Sequence, residues 1–346
     1  MKRAGSLLAL LAVALGVLVL NTSAAAAQSP GEAQGVITGT IELGTAGATL
    51  SDDLRVQFIV LVASEVEGTQ DATVEGDTVR LDVPIDPERR YLPTVTYEGV
   101  QYLGEVPVAV TAEQPEVEAT LPTVYASTDS PEGVRIAGVS ASVTRVDWTN
   151  GEIVLQRTDT LLTDADRTYV GSSSGATIRI PVPEGTTSAE GETLRGPVTQ
   201  EESLLVANTP IPPGESTILG SAYQIGYDPT EDEYVLRVTV PFAADVIRVQ
   251  IPEDWVDTVE VQGAGREGDH ASGTLEDGTE VTLHTFVLED AAPGDSLVLR
   301  MSGLAPSLNR NPLTEPPGSL IAGAVALAVV GAAGAYAVTR GRQAAA

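Results

Sequence analysis

Short segments of alternating apolar and polar residues recur through the first half of this chain. Residues 54–62, centred on Phe58, show this alternation, and a period of two predicts a strand with one buried face. The pattern returns at residues 78–83, 105–110 and 117–121, with Gly, Pro and Asp clusters between the segments. Strands this close together, without helical periodicity, predict a sandwich or barrel rather than a βα fold.

Longer strands are predicted after residue 124. Residues 134–148 and 151–157 form a predicted hairpin, because Asn150-Gly151 supplies the positive φ angles that a tight turn requires. Further strands are predicted at residues 177–182, 216–227, 234–240, 246–251, 281–288 and 296–301. One large sandwich or two small ones would both satisfy this spacing. The pattern predicts an all-β region of tandem antiparallel β-sandwiches.

A long apolar run, residues 319–338, stands near the C-terminus. It has 20 residues and no charge, and at about 1.5 Å per residue it spans about 30 Å, the thickness of a bilayer core. A buried core helix is the alternative, but the run has no polar face and follows Pro316-Pro317-Gly318. We expect a single C-terminal transmembrane helix, with the basic tail 339–346 in the cytoplasm.

The N-terminus has the three parts of a secretory signal. Lys2 and Arg3 precede an apolar stretch that ends in small residues at Ala25-Ala26-Ala27. We expect cleavage after residue 27, although an uncleaved signal would provide a second anchor. The predicted localisation is the cell membrane, single-pass, with the ectodomain outside. The predicted organisation is signal peptide 1–27, linker 28–34, β-sandwich 35–122, larger β region 123–306, Pro-rich linker 307–318, transmembrane helix 319–338 and tail 339–346.

Residues 35–122 resemble a carboxypeptidase-regulatory-like domain, a small transthyretin-like sandwich common in exported prokaryotic proteins. The resemblance is carried by residues 35–43, the Phe58 strand, the turn 75–77 and the stretch 91–102. The usual Asp-Gly-x-Phe turn is absent. The resemblance implies a passive module for spacing, stability or binding, with no catalytic residues. The whole arrangement, with its C-terminal anchor, resembles prokaryotic surface proteins.

Composition narrows the choice of compartment and partner. The sequence has no cysteine, which favours a prokaryotic envelope protein that folds by core burial and excludes lipid attachment to a lipobox cysteine. The predicted ectodomain carries all 48 acidic groups, against 15 arginines. This charge disfavours nucleic acid and anionic lipids as partners and leaves cations and basic surfaces. The acidic, lysine-free composition of the predicted ectodomain favours a halophilic source, and GC-rich codon usage is the alternative.

The sequence offers little catalytic chemistry. Ser173 lies in a Gly-x-Ser-x-Gly pattern, but a predicted strand follows it where a nucleophile elbow needs a helix. His270 and His284 are the only histidines and lie 14 residues apart, without a zinc-binding motif. We assign His270 to a solvated loop and His284 to a strand. No catalytic residue, cofactor or zinc site is therefore predicted.

The sequence contains two weaker candidates for ligand sites, one for calcium and one for sugars. An oxygen-rich loop could bind calcium, although a solvated turn is the alternative; its acidic residues are Asp228, Glu231, Asp232 and Glu233. Trp148 and Trp255 are candidates for stacking on sugar rings, but large aromatic residues at strand ends more often cover a core.

The predicted transmembrane helix has one face of small residues, a pattern that permits close helix association. The residues are Ala324, Ala328, Gly331 and Ala335. Because Ala and Gly are abundant in this run, such a face is nearly unavoidable. We expect a non-catalytic structural or protein-interaction module at the cell surface, whose partner is an envelope protein or a glycan and which can pair through this helix. The alternative is a carbohydrate-binding accessory protein.

Overall fold

The computed structural model describes residues 33–171, 176–193, 196–274 and 280–304. The predicted signal peptide 1–27, most of the linker 28–34, the linker 307–318, the transmembrane helix 319–338 and the tail 339–346 lie outside these ranges. Within them the chain is all β, with one 3₁₀ turn at Glu253–Trp255, so this part of the predicted fold class is confirmed. No helix in the described ranges is long and apolar enough to cross a membrane.

The chain divides into two compact units. The first unit is Met1–Thr128 with Ala165–Thr168, and the second is Asp129–Asp164 with Tyr169–Ala346. The strands up to the boundary are β1 Gln34–Thr40, β2 Arg55–Val62, β3 Glu65–Asp71, β4 Thr73–Glu75, β5 Thr78–Pro84, β6 Arg89–Tyr97, β7 Val100–Leu103, β8 Glu116–Glu118 and β9 Ser127–Thr128.

Two four-stranded sheets form the first unit, in the orders β4-β5-β1-β8 and β3-β2-β6-β7. Strand β2 shows the predicted alternation, since Val56, Phe58 and Val60 are buried. The buried hydroxyl of Tyr97 on β6 donates a hydrogen bond to the carbonyl of Thr49 at 3.0 Å. Burial of the Tyr97 ring therefore leaves its polar atom satisfied.

The predicted strand at residues 105–110 is wrong. The structure has only an isolated antiparallel bridge here, between Val108 and Tyr91. Pro107 stands beside this bridge, and proline has no N–H to donate to a ladder. A one-residue bridge therefore replaces a continuous strand.

Strands of the remaining chain follow in order. They are β10 Val134–Asp147, β11 Glu152–Thr163, β12 Thr168–Tyr169, β13 Ile178–Pro181, β14 Thr186–Thr193, β15 Val198–Glu201, β16 Leu204–Ala207, β17 Thr217–Gly226, β18 Glu233–Thr239, β19 Ala243–Pro252, β20 Thr258–Gln262, β21 Arg266–Glu267, β22 Ala271–Thr274, β23 Glu280–Ala291 and β24 Ser296–Ser302.

The second unit is layered around one core. Its largest sheet has the order β14-β17-β11-β10-β19-β23-β21, and β22 also pairs with β23. Two three-stranded sheets, β13-β16-β15 and β18-β24-β20, contribute side chains to the same buried cluster. The apolar residues of this part of the chain therefore share one contiguous core.

Two of the sheets are mixed rather than purely antiparallel, which corrects this part of the sequence-based prediction. Strand β10 runs parallel to β19, and β1 runs parallel to β8. Parallel neighbours need a long connection between them. The β10–β19 pair has one, because the intervening chain forms β11 to β18.

The predicted hairpin is confirmed, but of Asn150 and Gly151 only Gly151 has a positive φ. Strands β10 and β11 pair antiparallel, with Asp147 opposite Glu152, and Gly151 has a φ of 63°. The Asp147 carboxylate accepts hydrogen bonds from the backbone N–H groups of Thr149 and Asn150, both at 3.0 Å. The turn is thus fixed by backbone conformation and by side-chain capping together.

A buried ion pair interrupts the apolar face of β11. The Arg157 guanidinium donates to both carboxylate oxygens of Asp159, at 2.8 and 2.7 Å. The two side chains are 2% and 0% exposed. Burial by itself lowers the pKa of Arg157, but the charge and hydrogen bonds of Asp159, together with Tyr223, outweigh this effect, so the pKa is raised and the charge is retained.

We predict that Asp159→Ala lowers the free energy of unfolding of the second unit by about 3–5 kcal/mol, because it leaves the Arg157 charge buried without its counter-ion. Chemical denaturation measures the change. The control is Arg300→Ala, which removes an exposed pair whose Nε–Oε2 distance to Glu233 is 3.6 Å and should cost at most about 1 kcal/mol. Equal losses for the two variants would contradict this account of the buried pair.

Candidate functional site

The edge of the large sheet at β23 brings together residues that are distant in sequence. Strand β22 pairs with β23 so that Ala271 lies opposite Leu283. Strand β21 also pairs with β23, and there Glu267 lies opposite Phe286. Both short strands therefore hold the 268–270 segment against the middle of β23.

The 268–270 segment contains one more residue than the part of β23 that lies opposite it. Gly268 donates its N–H to the carbonyl of Thr285 at 2.8 Å, and the next ladder position on this side is Ala271. Asp269 and His270 together therefore stand opposite His284 alone, which is the pattern of a β-bulge. The rings of His270 and His284 have centroids 4.3 Å apart and planes inclined at 47°.

Carboxylates flank both imidazoles. His270 Nε2 lies 3.3 Å from Glu267 Oε1, and His284 Nε2 lies 3.5 Å from Glu253 Oε1 in the 3₁₀ turn. One ligand atom each from Glu267, His270 and His284 lies within 4.8 Å of the other two. Within the described ranges these are the only three His, Asp or Glu residues that converge in this way.

A cleft lies beside His270. Its volume is about 360 Å³, and His270 contributes to its wall. Arg248, Gln250 and Thr285 also line it, as does Arg266, whose Nη2 lies 2.8 Å from Glu289 Oε1. Imidazole and carboxylate groups suit a divalent transition metal.

The structure does not gather the four calcium candidates into one site. Asp228 Oδ1 accepts hydrogen bonds from the N–H and hydroxyl of Thr230, at 2.9 and 2.7 Å, and these bonds lower the pKa of Asp228. Glu233 lies 3.6 Å from the Arg300 guanidinium. No three carboxylates among Asp228, Glu231, Asp232 and Glu233 converge. The loop is built as a turn that its own side chains cap.

The two tryptophans differ in burial. Trp255 is 7% exposed and belongs to the core cluster of the second unit. Trp148 is partly buried and packs against the same cluster. Stacking on a sugar ring needs an exposed indole face, so Trp255 does not offer one. Ser173 and the predicted helix-association face, Ala324, Ala328, Gly331 and Ala335, lie outside the described ranges.

Sequence comparisons identify no relatives. No protein-family model matches the chain, and no curated protein matches it. Among solved structures, an M1 zinc metallopeptidase from Deinococcus radiodurans matches 49% of this chain and 42% of that chain, with 12% identity and a TM-score of 0.32. A mutant M1 zinc metallopeptidase from the same organism, bound to a Tyr-Ser-Ala substrate, covers the same shares with 13% identity and a TM-score of 0.31. Likeness at this level carries no information about activity.

Sequence reasoning missed the histidine cluster. The spacing of 14 residues between His270 and His284 matches no metal motif, but Asp277-Gly278 lies midway between them. Asp-Gly is a strong hairpin signal, and a hairpin centred there places the two histidines opposite each other. The sequence signal for this cluster was therefore the Asp-Gly turn between the two histidines, and not a metal-binding motif that contains them.

The loop at Asp228 yields a pH-dependent prediction. A depressed carboxyl pKa stabilises the fold above the unfolded-state pKa, and this contribution is lost as pH falls through the folded value. Thr230→Val removes the hydroxyl donor, so the pKa of Asp228 should rise towards its ordinary value. Carboxyl NMR shifts followed against pH measure the change. An unchanged pKa, or a shift of the Asp228 signal on addition of Ca²⁺, would contradict the turn interpretation.

Proposed function

We propose that this chain is a membrane-anchored extracytoplasmic protein that acts as a non-catalytic structural or protein-interaction module at the cell surface. The observation that supports the proposal is the position of the charged side chains of this chain. In the described ranges, Arg157 and Asp159 are the only buried charged side chains. The excess acidic groups of these ranges are therefore surface groups, which attract basic partner surfaces and repel other polyanions.

The surroundings of the histidines also support a non-catalytic role. Both rings contact carboxylates and each other. A hydrolase of the serine type would need a histidine aligned with a nucleophilic hydroxyl. The two histidines of this chain are instead engaged in the Glu267–His270–His284 group.

The location is tested first. We expect the full chain in the membrane fraction, with the β region digested when protease is added to intact cells. Deletion of residues 319–346 should release the protein into the medium. A full-length chain protected from external protease, or recovered in the cytosol, would refute the proposed placement.

The partner is tested with a cross-linker chosen for this composition. Lys2 is the only lysine and lies in the predicted signal peptide, so the mature chain has acidic side chains but no side-chain amine. A zero-length carbodiimide reagent on intact cells should therefore couple its carboxylates to lysines of a different protein. We expect adducts that decrease at high ionic strength, because salt screens exposed charges.

Two controls make the cross-linking decisive. An amine-to-amine reagent should give no adduct through side chains of the mature protein. Recovery of the chain without any adduct in carbodiimide-treated cells, at low as well as high ionic strength, would contradict an interaction role for the acidic surface.

A further inference from the structure

We propose that Glu267, His270 and His284 form a binding site for a divalent transition-metal ion, with Zn²⁺ the ion that best fits the ligands. This inference does not depend on the proposed cell-surface function. It rests on the register, the donor distances, the state of one buried nitrogen and the ligand chemistry.

The register places the donors on one face. Glu267 lies opposite Phe286, and Phe286 is two residues along β23 from His284, so both point to the same side of the sheet. His270 reaches that side from the bulge, where its ring meets the ring of His284. Three side chains from three segments of the chain thus converge at one sheet edge.

The distances approach those of a tetrahedral centre. Zinc bonds of about 2.0–2.1 Å place neighbouring ligand atoms about 3.4 Å apart. His270 Nε2 and Glu267 Oε1 are already 3.3 Å apart, and the full set of donors lies within 4.8 Å. Glu267 and His270 are exposed, so rotation about their side-chain bonds can close the remaining gap at little cost.

One nitrogen of the cluster is buried without a hydrogen bond. Among the described residues, His284 Nε2 has no hydrogen-bond partner, although the atom is buried. Its nearest charged neighbour is Glu253 Oε1 at 3.5 Å. Buried polar atoms normally have a partner, and a metal ion between this imidazole and the carboxylates would supply one.

The donor types select the metal. Imidazole nitrogen binds zinc, copper and nickel well, whereas calcium and magnesium prefer a shell made of oxygen. Nearby carboxylates supply the negative charge that a divalent cation needs. A bound ion would join the β21–β22 segment to β23, so its structural effect would be to clamp this edge of the sheet.

The test uses the purified full chain without a histidine tag. Isothermal titration with Zn²⁺ should show one equivalent bound, and Co²⁺ in place of Zn²⁺ should give the intense visible absorption of a tetrahedral site. His270→Ala and Glu267→Gln should each weaken Zn²⁺ binding by about tenfold or more. Both residues are exposed, so the variants should fold, and circular dichroism checks that they do.

Asp269→Asn is the matched control, because it removes a carboxylate from the same bulge without removing a donor of the cluster. It should leave Zn²⁺ binding unchanged. Ca²⁺ should not compete at equal concentration. The proposal is overturned if no saturable binding occurs, if Asp269→Asn weakens binding as much as His270→Ala, or if His270→Ala binds Zn²⁺ as the native chain does.

Discussion

The buried pair of Arg157 and Asp159 is the interaction on which the second unit depends. Both side chains point into the core from β11, between Leu155 and Leu161. Taking two charges out of water is tolerated only when each has its counter-ion and its hydrogen bonds. The pair therefore requires β11 to take one register, since a slip by one residue would turn both charges to the other face of the sheet.

The same pair links elements that pack above and beside β11. Arg157 Nη1 donates to the carbonyl of Thr239 at the end of β18, at 3.0 Å. The hydroxyl of Ser221 on β17 contacts the Arg157 carbonyl and the hydroxyl of Tyr223. Burial raises the pKa of Tyr223, so this network contains a neutral phenol beside a satisfied ion pair. The hydrogen bond from Arg157 to Thr239 therefore connects the large sheet to the β18-β24-β20 sheet.

The sequence predicted those parts of the fold that depend on local signals. Alternation located β2, and Asn150-Gly151 located the hairpin of β10 and β11. The sequence pattern did not predict β14, because Thr186–Thr193 is almost entirely polar. This segment forms a strand only through its ladder with β17. The parallel pairing of β10 with β19 joins segments that are distant in the chain, and no local pattern records it.

The candidate site was hidden for a related reason. His284 occupies a strand position and His270 a loop position, and neither residue shows a metal motif alone. The β22–β23 register brings the two histidines together, and the extra residue at the bulge shifts Glu267 opposite Phe286. The pairing of β21 and β22 with β23 therefore creates the cluster. The acidic loop at Asp228 is conspicuous in the sequence, but it folds into a capped turn.

The core strands form a rigid scaffold, and the proposed metal site would order one edge of the large sheet. Hydrogen exchange of the full chain, with and without Zn²⁺, tests this most directly, because exchange reports the local free energy of opening. We predict slowest exchange in β10, β11 and β17 under both conditions. The β21–β22 segment should exchange rapidly without metal and more slowly with Zn²⁺. Uniform protection across the second unit, or no effect of Zn²⁺ on that segment, would contradict the account.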